Sequence, residues 1–298
     1  MFYSLLALIL SYSLIFDHFQ ISSFKNDSFQ KENTVSILSF NAKNLSNNNY
    51  NRGDKVIRDS IMFFIDEQNA DIICFQEFQS YPTRSVHSIK EYQETLGHKY
   101  VSEVPYLKKN THEFVDLLVM FSKFPVFNQH PFYMDGKSYG FYLDISMKGD
   151  TIRVFNLHLE SNHFNENDYS IFSEKEVNLN ENKRNQILLL LQKIKKYSVK
   201  RSYQSRTIQN EIEQSPYPVI VAGDFNDTPS SFTVHYIRQD LKDAFREKGI
   251  GYGNTFNGNL PPMRIDYLFF PESMEVLDFK IIKTELSDHY PIQAHFTF

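Results

Sequence analysis

The chain has 298 residues, a formal net charge of −5 at pH 7, 41% hydrophobic residues and 22% charged residues. This composition is ordinary for a soluble globular core and argues against a disordered or fibrous chain. The negative charge argues against a general nucleic-acid coat protein, because such proteins are usually basic. It does not exclude a nuclease, because a bound divalent cation changes the local charge where a phosphate sits.

The N-terminal residues 1–17 resemble a membrane anchor or an export signal. Phe2–Phe16 is apolar over about 15 residues, which is shorter than a confident membrane span, and it lacks a basic region and a small-residue cleavage site. A polar stretch, predicted to be a linker at residues 18–33, separates it from the first strand. We therefore expect a membrane-anchored or exported protein, with a cytoplasmic location left open.

From residue 34 to residue 298 the apolar pattern predicts one α/β domain without a dividing linker. The predicted elements in chain order are a strand at Thr34–Asn41, a helix at Lys55–Asn69, strands at Ile72–Gln76, Lys99–Tyr106, Phe114–Phe121, Phe127–Met134, Tyr139–Met147 and Thr151–Leu159, a helix at Asn182–Glu213, a strand at Pro218–Ala222, a helix near Ser230–Arg238, and strands near Arg264–Phe270, Glu275–Ile282 and Ile292–Phe298. The polar stretch Asn162–Asn182 is predicted to be a long surface loop or lid. Two successive sets of strands with helices between and outside them predict two sheets packed face to face under helical layers.

Five polar groups interrupt apolar runs, and each falls at the end of a predicted strand. They are Asn41; Glu77; Asn156 with His158 and Glu160; Asp224 with Asn226; and Asp266 with Asp288 and His289. Buried polar side chains are costly unless they are paired or coordinated. Each group alone has a structural explanation, such as a surface glutamate, a satisfied histidine or a turn. Such explanations account poorly for all five groups together.

The residue types in these groups indicate a hard cation. Carboxylates and amides, without a cysteine or histidine cluster, suit Mg²⁺ or Mn²⁺ and not a closed structural zinc site. Two histidines beside such a cation suit hydrolysis of a phosphate ester, in which the metal offsets developing charge and a base activates water. The single cysteine, Cys74, lies in an apolar run and is predicted to be a buried strand residue.

With these motifs in this order, the chain resembles the endonuclease/exonuclease/phosphatase superfamily, which includes deoxyribonuclease I, abasic-site endonucleases, inositol-phosphate 5-phosphatases and neutral sphingomyelinases. The resemblance covers Val35–Phe298. It implies a deoxyribonuclease I-like fold, which is a four-layer α/β/β/α sandwich of two mixed β-sheets flanked by helices.

The resemblance also implies a role for each strand-end residue. The metal set, for Mg²⁺ or Mn²⁺, is Asn41, Glu77, Asp224, Asn226 and Asp288. Asp224 and Asn226 would also position the attacking water, and His158 would contact the phosphate or act as an acid. Asp266 would orient His289, which would act as base or stabilise the phosphate; such a carboxylate fixes the imidazole tautomer.

The function expected is a metal-dependent phosphoesterase that acts as a monomer. Nucleic acid, a phospholipid headgroup and a small phosphate ester all stay open as substrates. The alternative is a membrane-tethered binding module that kept the fold and lost catalysis, but that alternative predicts a missing ligand or base, and none is missing. The basic residues of the Asn182–Glu213 helix are either a solvated face or a flank that captures an anionic substrate or a membrane headgroup.

Overall fold

A computed structural model describes residues 17–21, 34–45, 55–81, 88–107, 115–147, 149–173 and 181–297. The predicted apolar segment Phe2–Phe16 lies outside these ranges, as does most of the predicted linker. Across the described ranges, no helix combines the length and the apolar character needed to cross a bilayer.

The described strands form two six-stranded sheets and one two-stranded ribbon. The strands in chain order are β1 (Phe19–Gln20), β2 (Thr34–Asn41), β3 (Ile72–Ser80), β4 (Tyr100–Pro105), β5 (Val115–Ser122), β6 (Val126–Met134), β7 (Lys137–Met147), β8 (Asp150–His158), β9 (Val219–Asp224), β10 (Lys242–Asp243), β11 (Gly251–Tyr252), β12 (Asp266–Phe270), β13 (Glu275–Ile281) and β14 (Ile292–Thr297). The first sheet has the order β13-β14-β2-β3-β5-β4 and the second has the order β10-β12-β9-β8-β7-β6. The central strands are apolar on both faces, as expected where each sheet is covered on both sides.

The longer helices lie on the outer faces of the two sheets, whereas the short last helix buries Ala244 and Phe245 in the core between the sheets. The helices are α1 (Lys55–Glu67), α2 (Ile89–Thr95), α3 (Glu166–Ser173), α4 (Glu181–Glu213), α5 (Phe232–Arg238) and α6 (Ala244–Lys248). α4 has no Gly or Pro in its length and stops two residues before Ser215-Pro216, where the residue before a proline disfavours helix.

Three apolar cores separate the layers. On β2 the side chain of Ile37 packs into the core between the sheets, whereas Leu38 and Phe40 pack into the core under α1 and α2. A third core, with Phe155 and Ile208, lies between the second sheet and the helices α4 and α5. The predicted four-layer α/β/β/α sandwich of two mixed sheets is confirmed.

One parallel strand pair in each sheet fixes where the polar strand ends meet. β2 runs parallel to β3, with Asn41 beside Gln76, and β8 runs parallel to β9, with His158 beside Asp224. Strands that run in the same direction end at the same edge of a sheet. The carboxyl ends of both pairs therefore carry the candidate site residues.

A buried amide on β8 ties the two sheets together. The side chain of Asn156 is fully buried, and its Nδ2 donates to the carbonyl oxygens of Phe75 at 3.0 Å and Val119 at 2.9 Å. Its Oδ1 accepts from Nε2 of Gln76 at 2.7 Å. Asn156, which the sequence analysis grouped with His158 and Glu160, therefore links the two sheets and is not one of the candidate site residues at the strand ends.

Substituting Asn156→Ala is expected to lower the free energy of unfolding by about 2–4 kcal/mol, because two buried carbonyl groups and one amide lose their partners. Urea denaturation followed by circular dichroism measures this loss. The matched control is Asn210→Ala on the exposed side of α4, for which we expect a change within about 0.5 kcal/mol. Equal stability of the Asn156→Ala variant and the wild type would contradict the role of this amide.

The predicted lid at Asn162–Asn182 needs a correction, because it contains the helix α3. Asn165 caps this helix: its Oδ1 accepts from the backbone N–H of Asp168 at 3.0 Å, and the Asp168 carboxylate accepts from the N–H of Asn165 at 2.8 Å. Asp168 also pairs with Lys193 of α4. Reciprocal capping of this kind starts a helix in a polar stretch that has little apolar periodicity.

The start of the predicted linker at residues 18–33 packs against the C-terminal third of the chain. Phe19–Gln20 pairs antiparallel with Gly251–Tyr252. Asp17, the last residue of the predicted N-terminal segment 1–17, is buried and forms an ion pair with Arg238 at 3.0 Å. The predicted division of the chain at residue 34 stays a prediction.

Candidate active site

The site lies at the edge where the parallel strand pairs end. Asn41 is the last residue of β2 and Asp224 is the last residue of β9. Glu77 lies inside β3 at a register shift between Phe75 and Phe78, and its φ of 47° is in the left-handed region. A bulge of this kind re-aims one side chain out of the regular alternation. The bulge therefore brings the Glu77 carboxylate to the side chain of Asn41.

Asp224 is the centre of the site. Its Oδ2 accepts from Nδ2 of Asn41 at 3.0 Å and from Nδ2 of Asn226 at 3.2 Å. Nε2 of His158 lies 3.6 Å from the same oxygen, and Nε2 of His289 lies 3.7 Å from it. One carboxylate oxygen thus faces two amides and two imidazoles.

Burial raises the pKa of Asp224, and the neighbouring Asp266 raises it further, while His289 and His158 lower it. Asn226 stabilises the ionised form, since its backbone N–H donates to Oδ1 of Asp224 at 2.8 Å. Asn226 has a φ of 51° and also donates from Nδ2 to the carbonyl of Leu159 at 3.0 Å. In this geometry Asn226 holds the Asp224 carboxylate in place.

His289 forms a dyad with Asp266. Its Nδ1 lies 3.0 Å from Oδ2 of Asp266, so Nδ1 carries a proton and Nε2 points towards Asp224. Burial alone lowers the pKa of His289, but the carboxylates of Asp266 and Asp224 outweigh it and raise that pKa to about 10. The predicted orienting role of Asp266 has the geometry it requires.

The loop that carries His289 is fixed by buried hydrogen bonds. The hydroxyl of Ser287 donates to the carbonyl of Asn41 at 2.9 Å and accepts from the N–H of His289 at 3.2 Å. The ring of Phe256 packs edge-on against His289 with 5.2 Å between ring centroids. These contacts hold the histidine of the last strand's loop against the end of β2.

His158 is oriented by a tyrosine that the motif analysis did not find. The hydroxyl of Tyr106 lies 2.6 Å from Nδ1 of His158 and accepts from the N–H of Glu77 at 3.0 Å. Because it accepts from Glu77, the hydroxyl is free to donate its own proton to Nδ1, which leaves a hydrogen on Nε2 of His158. Burial lowers the pKa of His158. His158 therefore presents a neutral N–H towards Glu77 and Asp224.

We expect Tyr106→Phe to reduce kcat about tenfold with little change in KM, because Nδ1 of His158 loses the donor that selects its tautomer. Long-range ¹H–¹⁵N spectra of the histidine rings measure the tautomer directly. The matched control is Tyr252→Phe, whose ring is 71% exposed. An unchanged His158 tautomer in Tyr106→Phe would contradict this assignment.

Lys43 is the second residue that the motif analysis missed. Its Nζ lies 2.8 Å from Oδ2 of Asp288, and both side chains are about one fifth exposed. Lys43 follows Asn41 by two residues and has a φ of 45°. The predicted metal ligand Asp288 therefore has a cation beside it.

A cavity of about 570 Å³ opens over these residues. It is lined by the predicted residues Glu77, Asp224, Asn226, Asp288 and His289, together with Lys43. A second cavity, of about 310 Å³, adjoins it at Glu77 and is lined by Tyr106 and His158. The tertiary structure thus places all eight predicted site residues within one connected region.

The donor set fits a hard divalent cation. Burial raises the pKa of Glu77, His289 lowers it and the charge of Asp288 raises it again, so a divalent cation between Glu77 and Asp288 would stabilise both carboxylates. Oxygen ligands of this kind suit Mg²⁺ or Mn²⁺. Ligand atoms of Asp224, Asp266 and His289 also lie within 4.8 Å of one another. We do not assign a separate metal site to these three residues, because Nδ1 of His289 is already bonded to Asp266.

Comparison with known proteins supports the resemblance. Residues 196–289 match the sequence model of the Endonuclease/Exonuclease/phosphatase family, and no match was found among curated protein sequences. A solved endonuclease/exonuclease/phosphatase from Beutenbergia cavernae DSM 12333 superposes with a TM-score of 0.65 and 13% identity, over 90% of this chain and 72% of that one.

Two further solved structures have names that describe more specific proteins. The mannosyl-6-phosphatase of Bacteroides thetaiotaomicron VPI-5482 superposes with a TM-score of 0.57 and 16% identity, over 89% of this chain and 100% of that one. A humanized TDP2 from D. rerio superposes with a TM-score of 0.60 and 16% identity, over 89% of this chain and 99% of that one. The resemblance seen in the sequence is thereby confirmed, and the chain has the fold of the endonuclease/exonuclease/phosphatase superfamily.

Proposed function

We propose that the chain is a divalent-metal-dependent phosphoesterase that hydrolyses a phosphate ester by attack of water. The observation that carries this proposal is the surrounding of Asp224, whose Oδ2 faces Nε2 of His158 at 3.6 Å and Nε2 of His289 at 3.7 Å. A carboxylate between two imidazoles, beside further carboxylates in an open cavity, can orient water and stabilise an anionic transition state. The solved neighbour that is named a mannosyl-6-phosphatase supports phosphate-ester chemistry on this fold.

Different side chains of the site would bind the metal and orient the water. Glu77 and Asp288, with the amide of Asn41, would hold Mg²⁺ or Mn²⁺. When bound, the cation offsets the negative charge of the phosphoryl oxygens. Asp224, held by Asn226, orients the attacking water.

The two histidines act on the phosphate from different hydrogen-bonding states. His158 donates from Nε2 to a phosphoryl oxygen, because Tyr106 occupies its Nδ1. His289, with Nδ1 bound to Asp266 and its pKa raised to about 10, is positively charged at neutral pH and donates from Nε2 to stabilise the phosphate charge. To act as the base it would first have to lose its Nε2 proton. The substrate within the class of phosphate esters stays open among nucleic acid, a phospholipid headgroup and a small molecule.

The test uses the purified full chain with bis-p-nitrophenyl phosphate and p-nitrophenyl phosphate, in Mg²⁺, Mn²⁺ or EDTA. We expect hydrolysis with either metal and its loss in EDTA, followed by recovery when metal is returned. A preference for the diester would direct the substrate search to nucleic acids and phospholipids. Hydrolysis that persists unchanged in EDTA would contradict metal dependence.

The alternative of a non-catalytic binding module on the same fold predicts a different outcome. Such a protein would bind metal or phosphate without turnover of any ester. Isothermal titration of the full chain with Mn²⁺, beside the hydrolysis assay, separates the two functions. Tight Mn²⁺ binding without hydrolysis of nitrophenyl esters, DNA or phospholipid would favour the binding module.

A further inference from the structure

The helix α4 exposes large apolar side chains on its outer face. Leu188, Leu189 and Leu191 are 55%, 65% and 55% exposed, and Val199 and Tyr203 continue the exposed row. At about 100° per residue, these five side chains fall on one face that covers about 160° of the helix surface. Leu188, Leu189 and Leu191 lie within one turn of the helix, and a group of large exposed apolar side chains is a candidate binding surface. We call these five residues the outer face of α4.

The charged residues of α4 are all basic along most of the helix. Between Asn182 and Asn210 there is no Asp or Glu, and the basic residues are Lys183, Arg184, Lys193, Lys195, Lys196, Lys200, Arg201 and Arg206. Ion pairs to the protein body use Lys193 and Lys200. The side chains of Arg184, Lys195 and Lys196 are exposed, and the helical repeat places them among the leucines of the outer face.

The side of α4 next to the outer face forms part of the wall of the active-site cavity. Ile194, Ser198 and Arg201 line the 570 Å³ cavity, together with Asp224 and His289. Arg201 is buried and forms an ion pair with Asp227 at 3.0 Å. Whatever binds the outer face of α4 is therefore held beside the cavity.

We propose that the outer face of α4 docks on an anionic lipid bilayer as an interfacial helix and holds the active-site cavity beside that surface. A helix with leucines and interleaved lysines inserts its apolar side chains at the headgroup boundary and attracts anionic lipids. A second copy of the chain fits less well, since two such faces would bring Arg184, Lys195 and Lys196 against their own copies. Nucleic acid would use the basic residues and leave the leucines in water. This docking surface goes beyond the proposed hydrolysis and does not depend on it.

The single cysteine of the chain allows a direct test. Cys74 is fully buried, and burial raises the pKa of its thiol, so a cysteine introduced by Leu189→Cys is the reactive one in the full chain. An environment-sensitive fluorophore on this cysteine is titrated with vesicles of phosphatidylcholine, alone or mixed in equal parts with phosphatidylglycerol. We expect a blue shift of emission with the anionic vesicles, and its loss at high salt.

The control label is placed by Phe63→Cys, since Phe63 is 65% exposed on α1 in the opposite helical layer. We expect no shift there, even if another segment of the chain anchors the protein. Lys195→Glu with Lys196→Glu in the Leu189→Cys protein is expected to weaken the anionic-vesicle response at least tenfold. The same variant should hydrolyse nitrophenyl phosphates as the wild type does, because these two side chains lie outside the catalytic edge.

Three outcomes would overturn the proposal. The first is no blue shift of the Leu189→Cys label with anionic vesicles, and the second is an equal shift with both vesicle types. The third is a shift that grows with protein concentration without vesicles, which would assign the outer face to a second copy of the chain. A shift caused by double-stranded DNA and not by anionic vesicles would likewise assign it to nucleic acid.

Discussion

Asp224→Asn is expected to reduce hydrolysis of bis-p-nitrophenyl phosphate by about 10³-fold without lowering the melting temperature. Catalysis is lost because the amide cannot provide the charged oxygen that faces both histidines. Stability is kept because burying the charged carboxylate of Asp224 costs free energy, which is why burial raises its pKa. A neutral amide of the same size removes that desolvation cost.

The measurements are steady-state kinetics with Mg²⁺ and a thermal melt in EDTA, which removes stabilisation by bound metal. Asp150→Asn is the matched control, since Asp150 is exposed at the start of β8, and it should match the wild type in both assays. Turnover near the wild-type rate in Asp224→Asn would remove Asp224 from the centre of the mechanism. A large fall in melting temperature would instead make the loss of activity a folding effect.

The second large effect is expected at the Asp266–His289 dyad. Asp266→Asn should reduce kcat by about 10²- to 10⁴-fold, because an amide opposite Nδ1 of His289 no longer supplies the negative charge that orients the ring and raises its pKa. His289→Ala should cause a loss at least as large. The double variant should be little worse than His289→Ala alone, because the two residues act as one unit.

Double-mutant kinetics on bis-p-nitrophenyl phosphate measure this coupling. His235→Ala is the matched control, since His235 is exposed on α5 and should leave kcat unchanged. If the two losses multiply in the double variant, Asp266 and His289 act independently and the dyad is wrong. Full activity of the Asp266→Asn variant would also show that the dyad is wrong.

The elements that the sequence determined are those whose pattern is local. The predicted strand Thr34–Asn41 has the same bounds in the structure, because an apolar run bounded by polar stretches carries its own signal. The helix predicted at Asn182–Glu213 differs from α4 by one residue at its start, since good helix formers fill it and a proline follows. The burial of Cys74 also followed from its neighbours in the chain.

The sequence also indicated most of the candidate site residues, because their polar side chains interrupt apolar runs. An apolar strand that stops at Glu77 or Asp224 marks the edge of a sheet, and the costs of burying polar groups made a common site the best explanation. Residue roles such as the pairing of Asp266 with His289 came from the family resemblance. The sequence alone did not show that the two side chains touch.

Only the tertiary structure decided which further side chains complete the site. Tyr106 and His158 are 52 residues apart in the chain, and no local pattern links a strand-end tyrosine to one particular imidazole. Lys43 contacts Asp288 because the turn after β2 and the loop before β14 meet at one edge. The order of strands in a sheet sets such meetings, and hydrophobic periodicity specifies which face of a strand is buried but not its neighbour.

The same distinction applies to α4. The sequence showed a basic helix with leucines, and its composition favoured a solvated face over a capture surface without excluding the latter. The packing of the helix decided which side chains face the cavity and which face outward, because Arg201 is buried while the leucines at residues 188, 189 and 191 are exposed. Amphipathic periodicity gives the faces of a helix, and only its contacts with the rest of the chain determine which face is left for a partner.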